Sequence, residues 1–429
     1  MRFLHIADVH LGNQQYNVKE RFNDFGRAFF DAVDLAITRQ ADAVVIAGDL
    51  FHKAAVEPGT LLQAEEGLKQ LKKAGIVAVG VHGNHDRAHY LTQTSWLEYL
   101  CEHGLICLLA PDFETSPAEL VPWSDEDSFG SYVDVGPVRF VGVPWLGAAA
   151  PRVLAEVSES LAALPQNGIK FTVLVTHAGV EGQMPNMPGG LRFSELEPLK
   201  AHVHYLALGH LHKPYQAAGW IYNPGSLETC SFDEAVFEDR GCYLVEVSTD
   251  GEAHIERLSV PRRPFFTLRY DTHRHATPEA LLDGVTTFVQ AEARKIERAI
   301  QKIEEGRRKP IVRLVLQGNL TFDRAQLDLD AIRNVMRQSI DALLVRVENR
   351  TVPLGLEAEI DENTDRAALE RQILEGLIRG NTQFNKHTDT LLRLSQEVMH
   401  LALQGEDPAN IFTALDDTWS RLEEGRDVD

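Results

Sequence analysis

The chain has 429 residues, 42 Lys+Arg against 63 Asp+Glu, and a formal net charge of −21 at pH 7. That length calls for two or three folded units, and the charge argues against a protein that grips nucleic acid with its surface alone, because duplex affinity comes mostly from Lys and Arg neutralising phosphates. No apolar stretch of 18 or more residues and no charged-then-apolar leader occurs, so the expected setting is the cytoplasm; the cysteines at 101, 107, 230 and 242 form no Cys-x-x-Cys pair and read as core thiols in a reducing compartment.

In chain order, short aliphatic runs alternate with longer periodic segments. Residues 3–6 run into Asp8 and His10, a helix is expected over 21–39, and residues 43–47 run into Gly48-Asp49. A second helix is expected over 60–74, after which residues 76–81 end at Gly83-Asn84-His85-Asp86. Further strands are expected at 139–143, at 171–175 before Thr176-His177, at 205–208 before Gly209-His210-Leu211-His212, and at 243–247. Short β-branched or aliphatic runs punctuated by Gly or a polar residue read as buried strands.

Function in open α/β sheets gathers outside the carboxyl ends of strands. Residues i and i+2 of an extended chain share a face, so Asp8 with His10, and His210 with His212, are each expected to point into one cleft about 6.6 Å apart. Gly48, Gly83 and Gly209 are expected to let the backbone turn tightly beside them. Singly, each residue has a plain reading: a histidine at a strand end is usually just hydrogen-bonded, Asp49 could cap a helix, and Asn84 could serve a turn. Together Asp8, His10, Asp49, Asn84, His177, His210 and His212 predict a site for two divalent metal ions. Mixed imidazole, carboxylate and amide donors suit manganese, iron or zinc better than calcium.

These motifs resemble those of the calcineurin-type metallophosphoesterases: Asp-x-His, Gly-Asp, Gly-Asn-His-Asp, a His after a strand, and Gly-His-x-His. Within that superfamily residues 5–12, 47–52, 207–213 and 222–228 are similar to the SbcD branch of DNA repair nucleases, with an extra Asn223 where Tyr-Pro-Gly-Ser is expected. The resemblance implies an α/β fold, a four-layer αββα sandwich with two mixed sheets, over residues 1–260. It implies a first metal held by Asp8, His10, Asp49 and His212, a second held by Asp49, Asn84, His177 and His210, and manganese as the ion. It places His85 over the scissile phosphate and assigns His52 to positioning His85 or the phosphate. Paired dications about 3.5–4 Å apart clamp the attacking and leaving oxygens of an in-line phosphoryl displacement and lower the pKa of water toward 7. Arg87 and Lys213 border the donors and are expected phosphate contacts. The implied activity is a metal-dependent DNA exonuclease and endonuclease, a homodimer that processes double-strand ends with an SbcC-type ATPase. The alternative is a phosphodiesterase or phosphatase for a small molecule, using the same dinuclear site.

After Pro261–Pro264 the pattern reads strand 265–270, helix 278–305, strand 311–316, helix 327–340 and strand 342–347. That order suggests a small α/β domain over residues 261–360, which in the resembled family caps the active site and helps select DNA; a dimerisation or packing domain is the alternative. From 361 to 429 the chain turns helical. Leu369, Ile373 and Leu377 recur every four residues, and Leu391, Leu394, Val398 and Leu401 follow 3-4-3 spacing. The resemblance lays these stripes against the base of the ATPase's coiled coil, and an intramolecular helical hairpin is the alternative. Charge is uneven: residues 112–134 hold seven acidic and no basic residues, the tail from Gln404 eight acidic against two basic, and residues 294–309 seven basic and three acidic. The loop with Pro185, Pro188, Gly189 and Gly190 either shapes the substrate rim or simply connects.

Overall fold

In the computed structural model, residues 1–88, 93–113, 118–183, 190–237, 240–303, 308–352, 366–379 and 384–423 are described. Pro185, Pro188 and Gly189 of the expected rim loop lie outside them. The chain divides into two compact units, Met1–Arg263 and Pro264–Asp429.

Strands of the first unit, in chain order, are β1 (Arg2–Ile6), β2 (Ala43–Ile46), β3 (Val77–Gly80), β4 (Cys107–Leu108), β5 (Tyr132–Val135) and β6 (Val138–Val143). They continue with β7 (Phe171–His177), β8 (Tyr205–Gly209), β9 (Tyr215–Ala217), β10 (Ile221–Asn223), β11 (Gly241–Val247) and β12 (Ala253–Ser259). They form two mixed sheets, ordered β12-β11-β1-β2-β3-β4 and β5-β6-β7-β8-β10-β9. In both, the inner strands run parallel, while β11 and β12 in the first and β5 and β9 in the second pair antiparallel.

Strand alternation sets the layers. Leu4 and Ile6 of β1 pack outward on Phe29, Val33 and Leu68 of the helices Lys19–Thr38 and Pro58–Lys73. Phe3 points the other way, edge-on to Phe140 of β6 and Tyr205 of β8 at 5.2 and 5.5 Å between ring centroids. On the second sheet Val141, Leu174 and Leu206 face the helix Ala150–Ala163 through Val153, Leu154 and Val157. The outcome is the αββα sandwich, and strands buried on both faces read as continuous apolar runs for that reason. Helix Lys19–Thr38 follows the same logic: buried Phe25, Phe29, Ala32, Val33 and Ala36 make one stripe.

A buried ionic cluster closes this unit. Arg21 pairs with Asp24 at 2.7 Å and with Glu228 at 3.3 Å, and Arg263 pairs with Asp24 at 2.5 Å, with all four side chains nearly or fully buried. Breaking one partner of such a set leaves an uncompensated buried charge, a loss of about 3–5 kcal/mol.

In the second unit β13 (Phe265–Asp271), β14 (Ile311–Asn319) and β15 (Leu344–Val352) form a parallel three-stranded sheet. Helices Pro278–Gln301 and Leu329–Ser339 pack on it through Leu281, Val285, Val289, Ile332 and Met336. Thr277 caps the first helix by accepting from Ala280 N, with Pro278 at its first position. Helix Arg366–Arg379 packs on Thr388–Leu403, which packs on Pro408–Glu423. Within the span expected to be helical, the acidic stretch from Gln404 forms the helix Pro408–Glu423, with Trp419 edge-on to Phe384. Leu394 is buried, whereas Leu377, Leu403 and Phe412 are exposed. No helix among the described residues is long and apolar enough to cross a membrane.

Candidate metal centre

The carboxyl ends of β1, β2 and β3 from one sheet and of β7 and β8 from the other open onto one crevice. Beyond the ends of β1 and β2 the two loops stay zipped: Asp8 N donates to Gly48 O, His10 N to Asp49 O, and Leu11 N to Leu50 O, at 3.2, 3.0 and 2.9 Å. Asp86 ties the β3 loop to them by accepting from Gly83, Leu50 and Phe51 N at 3.0, 3.3 and 3.0 Å. Burial, followed by the charge of Asp49, pushes the Asp86 carboxyl up to about 6.

The expectation that Asp8 and His10, or His210 and His212, sit two apart on extended chain is corrected. β1 ends at Ile6 and β8 at Gly209, and Asp8, His10, Asp49 and His210 all have left-handed backbone, with φ of 50, 52, 54 and 89°. Such conformations are held at about 1–3 kcal/mol each and persist only where surrounding contacts over-determine them. The glycines are corrected in part too. Gly48 has φ +82°, but Gly83 and Gly209 lack positive φ and are required for space. A Cβ at Gly83 would overlap the Asp49 carboxylate, and one at Gly209 would overlap Ala47 O and the His177 ring.

The donor atoms of all seven predicted residues face one another. On one side His10 Nε2 lies 3.0 Å from His212 Nε2 and 4.0 Å from Asp49 Oδ2, and His212 Nε2 lies 3.8 Å from Asp8 Oδ1. On the other, His177 Nε2 lies 3.3 Å from the same Asp49 Oδ2 and 3.1 Å from Asn84 Oδ1, which is 3.0 Å from His210 Nδ1. Around an ion with ligands at about 2.1 Å, cis donors sit about 3.0 Å apart and trans donors about 4.2 Å. The spacing fits a cation on each side of Asp49.

Protonation points the same way. His177 Nδ1 donates to Ala47 O at 2.8 Å, so its Nε2 carries a lone pair that faces Asp49 Oδ2. His212 Nδ1 bonds Glu234 Oε1 at 3.0 Å, so its Nε2 lone pair faces the His10 ring. Lone pairs converging on carboxylates and on each other need a positive charge between them. A metal ion can supply it, and so can a proton. Burial would lower the His177 imidazole, but Asp49 and Asp8 outweigh it and raise it to about 9. His212 is likewise raised, burial being outweighed by Cys230, Glu234 and Asp8. His210 is pushed down to about 4 by burial and by the charge of His177. Burial also raises the Asp8 carboxyl, whereas the His177 and His10 rings hold Asp49 well below the usual carboxylate range against its own burial.

His85 stands at the rim with its side chain 38% exposed and Nε2 4.0 Å from Asp49 Oδ2. Its backbone N donates to Asp49 Oδ1 at 2.9 Å, and its ring Nδ1 donates to the backbone carbonyl of His52 at 2.6 Å. The His52 ring stacks on His85 at 5.6 Å between centroids, 16° from parallel. Arg87 lies over the Trp145 ring, 4.3 Å from its centroid, and both line a cleft of about 510 Å³ with Asn84, His177 and His210. Lys213 Nζ donates to Gln183 O at 3.2 Å.

Sequence reasoning missed three residues at this site. Glu234 orients His212 and in turn accepts from Arg240 at 3.1 Å; nothing near it resembles a motif. Asn223, the extra residue before Pro224, is buried and donates to Leu211 O and Lys213 O at 2.6 and 2.8 Å, bracing the loop that carries His212. Asp86 was visible beside His85, and its clamp on three backbone N–H groups could have been suspected from its place in the Gly-Asn-His-Asp turn.

Residues 1–214 match the calcineurin-like phosphoesterase family. The chain is 27% identical over 349 residues to a protein described as DNA double-strand break repair protein Mre11 from Aeropyrum pernix, covering 77% of this chain and 76% of that one. It is 26% identical over 325 residues to the protein of the same description from Sulfurisphaera tokodaii, covering 74% and 73%. A stretch of 87 residues, 20% of each chain, is 48% identical to the counterpart from Archaeoglobus fulgidus. The chain belongs to the calcineurin-like phosphoesterases, metal-dependent hydrolases of phosphodiester bonds. Within that class it is of the Mre11/SbcD type.

Proposed function

We propose that the protein is a manganese-dependent DNA exonuclease and endonuclease that processes double-strand ends together with an SbcC-type ATPase. Asp8, His10, Asp49 and His212 hold one ion, and Asp49, Asn84, His177 and His210 hold the other. The observation that carries this reading is the single oxygen, Asp49 Oδ2, 4.0 Å from His10 Nε2 and 3.3 Å from His177 Nε2. When bound, the paired ions supply a nucleophile at neutral pH and a clamp for both oxygens of an in-line displacement.

The protein's own residues do the rest. Asp49 fixes the spacing of the two halves and accepts the His85 backbone N–H, which sets that turn against the crevice. His85 directs Nε2 at the phosphate because Nδ1 is committed to the His52 carbonyl; there it stabilises the developing negative charge or protonates the leaving oxygen. Arg87 and Lys213 contact flanking phosphates. Residues 261–360 help select DNA, and the helices within 361–429, where Leu377, Leu403 and Phe412 are exposed, dock on the ATPase. The working assembly is a cytoplasmic homodimer.

The test is a nuclease assay on linear and hairpin DNA, with and without the ATPase, across divalent metals. Shortening of linear duplex with manganese supports the reading. Hydrolysis of bis-nitrophenyl phosphate with no cleavage of any DNA, partner present, overturns it in favour of a small-molecule phosphodiesterase with the same dinuclear site.

A further inference from the structure

The seven donors read from sequence include no sulfur, yet a thiol stands among them. Cys230 Sγ lies within 4.8 Å of a ring nitrogen of both His10 and His212. The two rings already meet head to head, Nε2 to Nε2 at 3.0 Å, and His10 Nδ1 is buried with no hydrogen-bonding partner. Three metal-ligating groups thus converge where two imidazoles alone leave lone pairs uncompensated.

The local chain is built to hold the thiol there. Glu234 uses Oε1 on His212 Nδ1 and Oε2 on Cys230 N, at 3.0 Å each, so one carboxylate sets the ring and the cysteine backbone in mutual register. Arg240 fixes that carboxylate from behind, and its guanidinium also bonds the carbonyls of Ser226, Glu228 and Glu234. The thiol donates to backbone, to Glu228 O at 3.5 Å. A core thiol would have apolar neighbours on all sides; this one is half-buried at the mouth of a histidine pair.

We propose that Cys230 Sγ is a fifth donor to the ion held by Asp8, His10, Asp49 and His212, and that it biases this position toward thiophilic first-row metals such as zinc, cobalt or iron. This rests on the two-ion reading above and changes its metal assignment for one half. Soft thiolate donors select such metals, while carboxylate and carbonyl sets suit magnesium, calcium and manganese. On coordination the S–H bond breaks, the sulfur keeps the electron pair and binds the ion, and the proton leaves to solvent. The two halves of the site would then differ: one has a sulfur donor, the other only nitrogen and oxygen.

Chelator-stripped full-length protein titrated with cobalt(II) tests this by absorption. Visible ligand-field bands report occupancy, and a near-ultraviolet thiolate-to-cobalt band reports a Co–S bond. Wild type is expected to show both, and Cys230→Ser to keep the visible bands while losing the near-ultraviolet one. The same variant is expected to bind cobalt at least about 10-fold more weakly, since losing even a partner that supports a ligand costs about 10- to 100-fold, with a smaller change for manganese. Visible bands without the near-ultraviolet band in wild type overturn the proposal, because the thiol is then only a neighbour of the histidine pair, bonded to Glu228 O. Absence of both sets of bands removes the two-ion reading and this inference with it.

Discussion

The two halves of the donor set are held by different means. Around His177 the ring is aligned by main chain, Ala47 O, and the turn that carries Asn84 is held by the carboxylate of Asp86, two residues on, through backbone N–H groups. Around His212 the support is a distant side chain, Glu234, on a short turn more than twenty residues further on, itself held by Arg240. Backbone support comes with the strand ends that carry the donors, so the first half is nearly inseparable from the fold. Side-chain support can be removed one atom at a time, so the second half is the more adjustable.

Substitutions at Asp49 and His85 act on both halves at once and set the scale. Asp49→Ala is expected to abolish hydrolysis and to lower bound metal, by elemental analysis, from two ions per chain to at most one. Two ions retained by this variant would show that Asp49 is no bridge. His85→Gln is expected to lower kcat by about 10²- to 10⁴-fold, the usual contribution of proton transfer in the transition state, with metal content unchanged. Loss of metal in that variant would make His85 a donor instead.

Smaller effects separate the halves. Glu234→Gln is expected to weaken one of the two ions by about 10- to 100-fold and leave the other in place, read by calorimetric titration; equal weakening of both would erase the contrast. His52→Ala is expected to cost less than about 10²-fold, because the backbone carbonyl that holds His85 survives the change. A larger loss would assign the stacked ring a role of its own.

The mildest test uses metal-free protein. His177 is raised in the folded state to about 9 from an ordinary 6.5, so its contribution to stability is fully present below about pH 6.5 and lost as pH rises through 9. The Tm of stripped protein should fall over that window, and saturating metal should flatten the fall. A stripped protein with constant Tm across it would show that no proton occupies the crevice.

Much of this was legible in sequence because the inner strands are buried on both faces. Residues 3–6, 43–47 and 205–208 are near-continuous apolar runs, and donors just past them can only enter the crevice. Strands β4, β5, β9, β10 and β12 were not anticipated: the first four have two to four residues each, and β12 mostly alternates half-exposed and exposed positions with Glu and Arg among them. The helix Pro408–Glu423 lies within the span 361–429 expected to be helical, though its acidic composition gave no apolar stripe to set its bounds. Left-handed Asp8 and His10 escaped notice because only glycine advertises positive φ, and Glu234 because a carboxylate that supports a ligand has no spacing rule.

Crowding at Gly83 and Gly209 has a bearing on redesign. The floor of the crevice has no room for one additional carbon at either position, so laboratory selection for a bulkier or differently charged ester should accumulate changes at the outer wall, around Trp145 and Arg87, and leave the base untouched. Libraries randomised at the bottom would return mostly dead clones, whereas variation confined to that wall keeps the chemistry intact while altering what can approach it.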